Sequence, residues 1–119
     1  MSDISQRLIG AYLALDYARL KTISRNVTIM DIMEATHYAR VAQTNISFYN
    51  EYAPNRLPIL KSLANAIDSA TSDTENLIYE NKDVNIIKLA VAYSTIIDGF
   101  QKILKDAIIE VTHLQSTIK

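Results

Sequence analysis

Glycine and proline are scarce in this chain, and their scarcity restricts the fold more than any other feature of the sequence. Only two glycines and two prolines occur among 119 residues. Sheet proteins need turn residues about every 8–12 positions, and the sequence does not supply them. Long stretches instead repeat apolar residues with the 3.6-residue period of an α-helix. The sequence therefore predicts an all-α fold.

The apolar period divides the chain into four predicted helices, which span about residues 3–23, 29–49, 58–80 and 84–116. Thr28 and Asp31 have the spacing of a capping box, and Pro58 suits the first turn of a helix. The fourth segment keeps its period through Gly99, which favours one continuous helix of about 50 Å, against about 30 Å for each of the others. We expect residues 1–119 to form a single antiparallel four-helix bundle with a long fourth helix.

Each predicted helix carries a stripe that we expect to face the core. In helix 1 the stripe is Ile9, Leu13, Asp16, Leu20 and Ile23. In helix 2 it is Met30, Met33, His37, Val41, Thr44 and Phe48. In helix 3 it is Leu60, Leu63, Ile67, Ala70, Thr74 and Leu77. In helix 4 it is Ile86, Leu89, Tyr93, Ile96, Phe100, Ile103, Ala107, Glu110 and Leu114, broadened by Ala90, Ile97, Leu104 and Val111. Because the fourth stripe outreaches the other helices, its end should need cover from a second copy or another partner.

Composition argues against several classes of protein. The chain has no cysteine, which excludes a disulfide framework, a zinc–thiolate site and a cysteine nucleophile. Gly10 and Gly99 stand alone, so no glycine-rich phosphate loop is present. The longest uncharged apolar stretch, Leu89–Ile97, is far shorter than the roughly 18 residues of a membrane span, and no signal-peptide pattern is visible. We expect a cytoplasmic protein, or a virion component, with no membrane association.

Both histidines of the chain occur in the spacing Glu-x-x-His, as Glu34 with His37 and Glu110 with His113. Residues three apart on a helix face the same way, so each pair could ligate one metal ion. This arrangement is similar to that of ferritin-like di-iron bundles, which also use single glutamates on the other two helices; here helix 1 offers only Asp16. One alternative is therefore an iron or manganese site formed by Asp16, Glu34, His37, Glu110 and His113. A simple antiparallel bundle would separate the two pairs by roughly 27 Å, so a crossing connection or a second chain would have to unite them.

A second alternative concerns basic residues. Arg19, Lys21 and Arg25 cluster near the end of helix 1, and Arg40 on helix 2 can lie near them. Cations at this position complement the helix dipole. They could also contact phosphates if the chain were a small helical subunit of a nucleic-acid-binding complex. The formal net charge of −1 neither demands nor forbids this.

The absence of a complete catalytic set and the long apolar fourth helix favour a non-catalytic function. We expect a small helical interaction or assembly protein without a cofactor, acting as a homo-oligomer or as a subunit of a larger complex. Aromatic residues near the end of helix 2, such as Tyr38, Phe48 and Tyr52, support an interface there because tyrosine is common at protein contacts.

Overall fold

Four helices arranged as an antiparallel bundle make up the computed structural model, which describes residues 4–54, 56–80 and 83–117. The helices are α1 (Gln6–Thr22), α2 (Ile29–Tyr52), α3 (Pro58–Glu80) and α4 (Ile86–Thr117). Helix α1 packs against α2 and α4, and α3 packs against the same two helices. Short connections reverse the chain direction each time, which gives up-down-up-down topology. The predicted all-α four-helix bundle is therefore confirmed.

Local signals fix several helix ends. The Thr28 hydroxyl accepts a hydrogen bond from the Asp31 backbone N–H at 3.2 Å, and the Asp31 carboxylate accepts one from the Thr28 N–H at 2.9 Å. This confirms the predicted capping box at the start of α2. Helix α4 begins beside Asn85, whose side-chain oxygen accepts a hydrogen bond from the Lys88 N–H at 3.1 Å. The predicted start of helix 1 at residue 3 lies outside the described residues.

Small side chains fill the interface between α1 and α2. Alanines at helical spacing are buried on both helices: Ala11, Ala14 and Ala18 on α1, and Ala35, Ala39 and Ala42 on α2. They allow the two backbones to approach closely, and α1 with α2 forms the most extensive helix pair of the bundle. Larger residues such as Leu15, Ile46 and Tyr49 complete the core around them.

The core faces of α1 and α2 differ from the predicted ones. In α1, Leu8 and Leu15 are buried, whereas the apolar residues of the predicted stripe are about half exposed. In α2 the core residues are Ile32, Ala35, Ala39, Ala42, Ile46 and Tyr49. Successive residues rotate by about 100°, so this set lies nearly opposite the predicted α2 stripe. Both helices are apolar on two faces, and the bundle uses the face whose small alanines permit closer packing.

Helix α4 is continuous through Gly99, as predicted, and its 32 residues extend over about 48 Å. Its buried face contains only two members of the predicted stripe, Tyr93 and Ala107, whereas Ile96 and Ile103 of that stripe are 41% and 40% exposed. All four residues that broaden the stripe are buried: Ala90, Ile97, Leu104 and Val111. Near its end, Ile108 and Ile109 lie beside Ile9 and Tyr12 of α1, and Val111 is still buried. The described chain thus covers the core face of α4 at this point, while Ile109 is 58% exposed, and a partner at that end stays a prediction.

Helix α3 has its apolar residues on one side, and this side faces the core as predicted. Leu60, Leu63, Ile67 and Thr74 are buried as predicted, and the helix continues unbroken through its serine- and threonine-rich middle. Leu77, the last member of the predicted stripe, is 46% exposed.

Candidate interaction surface

The predicted core stripe of α1 lies on the outside of the bundle. We call Ile9, Leu13, Asp16, Leu20 and Ile23 the α1 stripe. Its apolar members are 50%, 54%, 48% and 54% exposed in chain order. A helix that is apolar all round is normally buried on all sides, but α1 is covered only where it meets α2, α4 and the core. The α1 stripe is therefore a ridge of large apolar side chains along one outer corner of the bundle.

Asp16 is the polar centre of this ridge, and α4 holds it in place. Arg19 Nη2 donates to Asp16 Oδ1 at 3.0 Å, and Gln101 Nε2 donates to the same oxygen at 3.3 Å. Arg19 Nε also donates to Gln101 Oε1 at 3.2 Å, which closes a three-residue network. The hydrogen bond from Arg19, followed by that from Gln101, lowers the pKa of Asp16. The carboxylate is thus ionised and already paired with a cation of its own chain.

Helix α2 presents a second apolar stripe next to the first. We call Met30, Met33, His37, Val41, Thr44 and Phe48 the α2 stripe. Among its members, Met30 is 62% exposed, and Val41 and Phe48 are 38% and 37% exposed. These residues lie nearly opposite the core face of α2, so they contribute little to the bundle core.

Aromatic and polar contacts bridge the outer groove between the two helices. The rings of Tyr17 and Tyr38 stack with centroids 5.5 Å apart. Near the start of α1, the Arg7 guanidinium lies 4.2 Å above the Phe48 ring and donates to Asn45 Oδ1 at 3.2 Å. A cation over an aromatic face is attractive, and Arg7, Asn45 and Phe48 also line a cavity of about 600 Å³ between the two helices. The two stripes and these bridging residues form one surface, which we call the outer α1–α2 surface.

The exposed apolar area of this surface is large for a single small chain. Summed over whole residues, the exposed apolar members of both stripes and Tyr17 leave roughly 800 Å² of accessible surface, about half of it on the α1 stripe, whereas the largest apolar patch on a typical monomer is about 300–600 Å². A standard protein interface buries about 800 Å² on each partner. The outer α1–α2 surface is therefore of the size that one protein contact requires.

The structure separates the residues predicted to bind metal. Asp16 contacts α4 through its hydrogen bond from Gln101. Glu34 Oε2 instead forms an ion pair with Lys21 Nζ at 2.9 Å across the groove between α1 and α2. His37 is exposed, and its ring lies edge-on to that of Tyr38 with the two ring centroids 5.7 Å apart. Asp16, Glu34 and His37 therefore point to different neighbours instead of a shared site.

The second Glu-x-x-His pair lies further along the bundle. Glu110 follows Ile109, which is beside Ile9, while Glu34 is beside Lys21. The twelve residues from Ile9 to Lys21 correspond to about 18 Å along α1. Glu110 and His113 are both exposed near the end of α4. Among residues 4–54, 56–80 and 83–117, no three His, Cys, Asp or Glu side chains are grouped closely enough to hold a metal ion.

The four predicted phosphate-contacting cations do not form one patch. Arg19 lies in the groove between α1 and α4, where it pairs with Asp16. Lys21 lies in the groove between α1 and α2, and its pairing with Glu34 raises its pKa. Arg25 is exposed in the turn between these helices. The fourth cation, Arg40, belongs to a different groove.

Arg40 joins α2 to α3 through a polar cluster. It forms ion pairs with Asp68 and, at 2.7 Å, with Glu75, and it donates to the Ser72 hydroxyl at 2.8 Å. The hydrogen bond to Glu75 is the strongest cause of the raised pKa of Arg40. With two carboxylates on its guanidinium, Arg40 orders the bundle and is committed to those contacts.

Sequence reasoning missed the outward direction of the α1 and α2 stripes, although a signal was present. Buried small residues recur three and four apart on both helices, beginning at Ala11 and Ala35. Such a pattern indicates a helix face suited to close packing, and it offered a second candidate for the core face beside the stripe of large residues. A buried hydrogen bond of 2.8 Å between Thr71 and Tyr93 was also missed, because it depends on the register of α3 against α4.

Comparison of this chain with protein-family models, with curated proteins and with solved structures finds no match. Within the described ranges, none of the helices combines the length and apolar character needed to cross a membrane. The function must therefore be argued from the surface itself.

Proposed function

We propose that this chain is a non-catalytic helical interaction or assembly protein that binds a protein partner through the outer α1–α2 surface. The observation that carries the proposal is the α1 stripe, in which four large apolar residues on one helix are each about half exposed. Exposed contiguous apolar surface of this size marks a contact site in soluble proteins.

The chemistry of the surface favours a protein partner over nucleic acid. Aliphatic and aromatic side chains dominate it, and such residues, together with arginine, are enriched at the centres of protein interfaces. Arg19 and Lys21, which flank Leu20 of the α1 stripe, are paired with carboxylates of the same chain. A phosphate backbone would have to compete with these pairs, whereas an apolar protein surface would leave them intact.

The shape of the surface favours a helix or another flat element over a small molecule. Small-molecule sites are concave and enclose most of the ligand. The α1 stripe is a ridge at a corner of the bundle, and it presents its side chains at the spacing that helices use to pack against each other.

Site-specific photo-crosslinking tests the proposal. A benzophenone amino acid placed at Leu13 should cross-link to a discrete protein in the cells that express the chain, and Leu20→Glu on the same stripe should abolish that product. Leu77 on α3 is the matched control because it is also a leucine and is 46% exposed. A cross-link from Leu77 equal to that from Leu13, or a Leu13 product that survives Leu20→Glu, would refute the assigned surface.

A further inference from the structure

We infer that the partner of the α1 stripe is a second copy of this chain, bound with the two α1 helices antiparallel about a two-fold axis at Asp16. This inference rests on the proposed function and adds the identity of the partner and the geometry of the contact.

The order of residues in the α1 stripe carries the inference. Read in either direction, the stripe is Ile, Leu, Asp, Leu, Ile. A two-fold interface brings the same surface of each copy together, so residues on either side of the axis must complement each other. Pairing about Asp16 places Ile9 against the second copy's Ile23, since each is seven residues from Asp16. It brings Leu13 to within one residue, about 1.5 Å along the helix axis, of the second copy's Leu20. A partner of different sequence would require no such symmetry.

The spacing of the stripe fits helix-to-helix packing. Its members are separated by four, three, four and three residues, which keeps all five on one side of α1 and lets them contact one facing helix. Packed helices have axes about 8–10 Å apart. The four apolar members are already on the outer side of α1, so this packing needs no rearrangement of the bundle core.

The polar centre of the stripe is compatible with the two-fold axis. Two bare carboxylates meeting there would repel each other. Each Asp16, however, carries Arg19 of its own chain at 3.0 Å, and Gln101 also donates to it. Two neutralised pairs would then meet at the axis. A polar residue within an apolar seam fixes the register and orientation of the helices at a cost in stability.

A dimer built on the α1 stripe would use neighbouring residues for part of its area. The four apolar residues of the stripe leave roughly 400 Å² of accessible surface on each copy, against about 800 Å² per partner in a standard interface. Tyr17 and its stacking partner Tyr38 lie beside the stripe and are available to extend the contact.

Light scattering of the full chain tests the stoichiometry. Between a few and roughly 300 µM the wild-type mass should rise toward twice the monomer mass. Leu13→Glu with Leu20→Glu should raise the dissociation constant more than about 100-fold, with an unchanged helical circular dichroism spectrum. Leu77→Glu adds the same kind of charge at a site of similar exposure and should leave the dimer intact. A wild-type chain that remains monomeric throughout overturns the inference.

Single cysteines test the orientation, because the natural sequence contains none. A disulfide requires Cα atoms within about 7 Å. In the antiparallel arrangement Leu13 faces the second copy's Leu20, while the two copies of Leu13 are offset by about 10 Å along the axis. Oxidation of mixed Leu13→Cys and Leu20→Cys chains should therefore give the mixed disulfide in excess of either symmetric one. Predominant Leu13→Cys self-linkage would indicate parallel helices and overturn the geometry.

The cross-linking experiment separates this inference from the proposed function. If Leu13 cross-links to a different protein and the purified chain is monomeric, the self-association fails and the outer α1–α2 surface remains an interaction surface. If Leu13 gives no stripe-dependent product and the chain is monomeric, both fail.

Discussion

Leu13 and Leu15 provide a matched pair for testing which face of α1 belongs to the core. They are the same residue type, two positions apart on one helix, and their side chains are about 200° apart around its axis. Leu15 is completely buried, and Leu13 is 54% exposed. The predicted stripe placed Leu13 in the core, so replacing each by alanine decides between the two faces.

The structure sets the expected magnitudes. Leu15→Ala should lower the free energy of unfolding by about 3–4 kcal/mol, because it removes a buried side chain and leaves a cavity. Leu13→Ala removes the same atoms from a half-exposed site, so the loss should be about 1 kcal/mol. The high helix propensity of alanine offsets part of that loss. The two variants should therefore differ by about 2–3 kcal/mol.

Urea unfolding followed by circular dichroism measures both values. The experiment belongs at the lowest practical protein concentration, where association contributes least to the measured stability. An unchanged slope of free energy against urea would show that the variants unfold in the same two-state manner. Equal losses, or a larger loss for Leu13→Ala, would refute the outward direction of the α1 stripe and with it the proposed contact surface.

Three further outcomes follow from the buried hydroxyl pair and from Gly99. Tyr93→Phe and Thr71→Val should each lower the free energy of unfolding by about 1–3 kcal/mol, because each leaves a buried hydroxyl without its partner. The double variant should lose little more than either single variant in urea unfolding, and additive losses would contradict the coupling. Burial raises the pKa of Tyr93 from 10.0 to about 12, so its protonated form favours folding. That contribution is present below pH 10, where tyrosine in the unfolded chain is still protonated, and should decline by about 2 kcal/mol by pH 12. Tyr93→Phe should remove this part of the alkaline loss of stability, and exposed Tyr79→Phe should not. Gly99→Ala should raise stability by about 0.5–1 kcal/mol in thermal unfolding, because an added Cβ meets nothing within 4 Å; a decrease would point to a contact at that position.

Much of the secondary structure was predictable because its determinants are local. Thr28 and Asp31 form their capping box within four residues, and Pro58 begins α3 as its fixed backbone angle favours. Continuity of α4 through Gly99 followed from an apolar period that keeps its phase on both sides of the glycine. Each of these features depends on residues close together in the sequence, and the pattern of a single sequence is enough to predict such features.

The face that each helix turns to the core was predicted correctly for the one-sided helix α3, only in part for α4, and wrongly for α1 and α2. On α1, large apolar residues such as Leu13 occur opposite small buried ones such as Ala11. The hydrophobic effect favours burying either face, so the choice depends on how closely two backbones can approach. That distance is a property of helix pairs, and the pattern on a single helix does not contain it.

The candidate site residues show the same division between local and long-range information. Glu34 and His37 lie one turn apart on the same side of α2, as their spacing requires. The Glu34 carboxylate, however, forms an ion pair with Lys21 of α1. Arg40 similarly pairs with Asp68 and Glu75 of α3. Which opposite charge meets which depends on the register between helices, and a motif of four residues says nothing about that register.

The two apolar faces of α1 also explain how folding and association can be separated in this chain. The alanine face closes against α2 and, with Leu15, is buried within a single chain. The α1 stripe with its larger side chains contributes little to that core and stays free to contact a partner. An obligate dimer has no stable folded monomer, whereas here the core is complete before any partner is added. Substitutions such as Leu20→Glu should therefore reduce association while the bundle remains folded. Leu15→Ala should instead lower the free energy of unfolding and leave the residues of the contact surface unchanged.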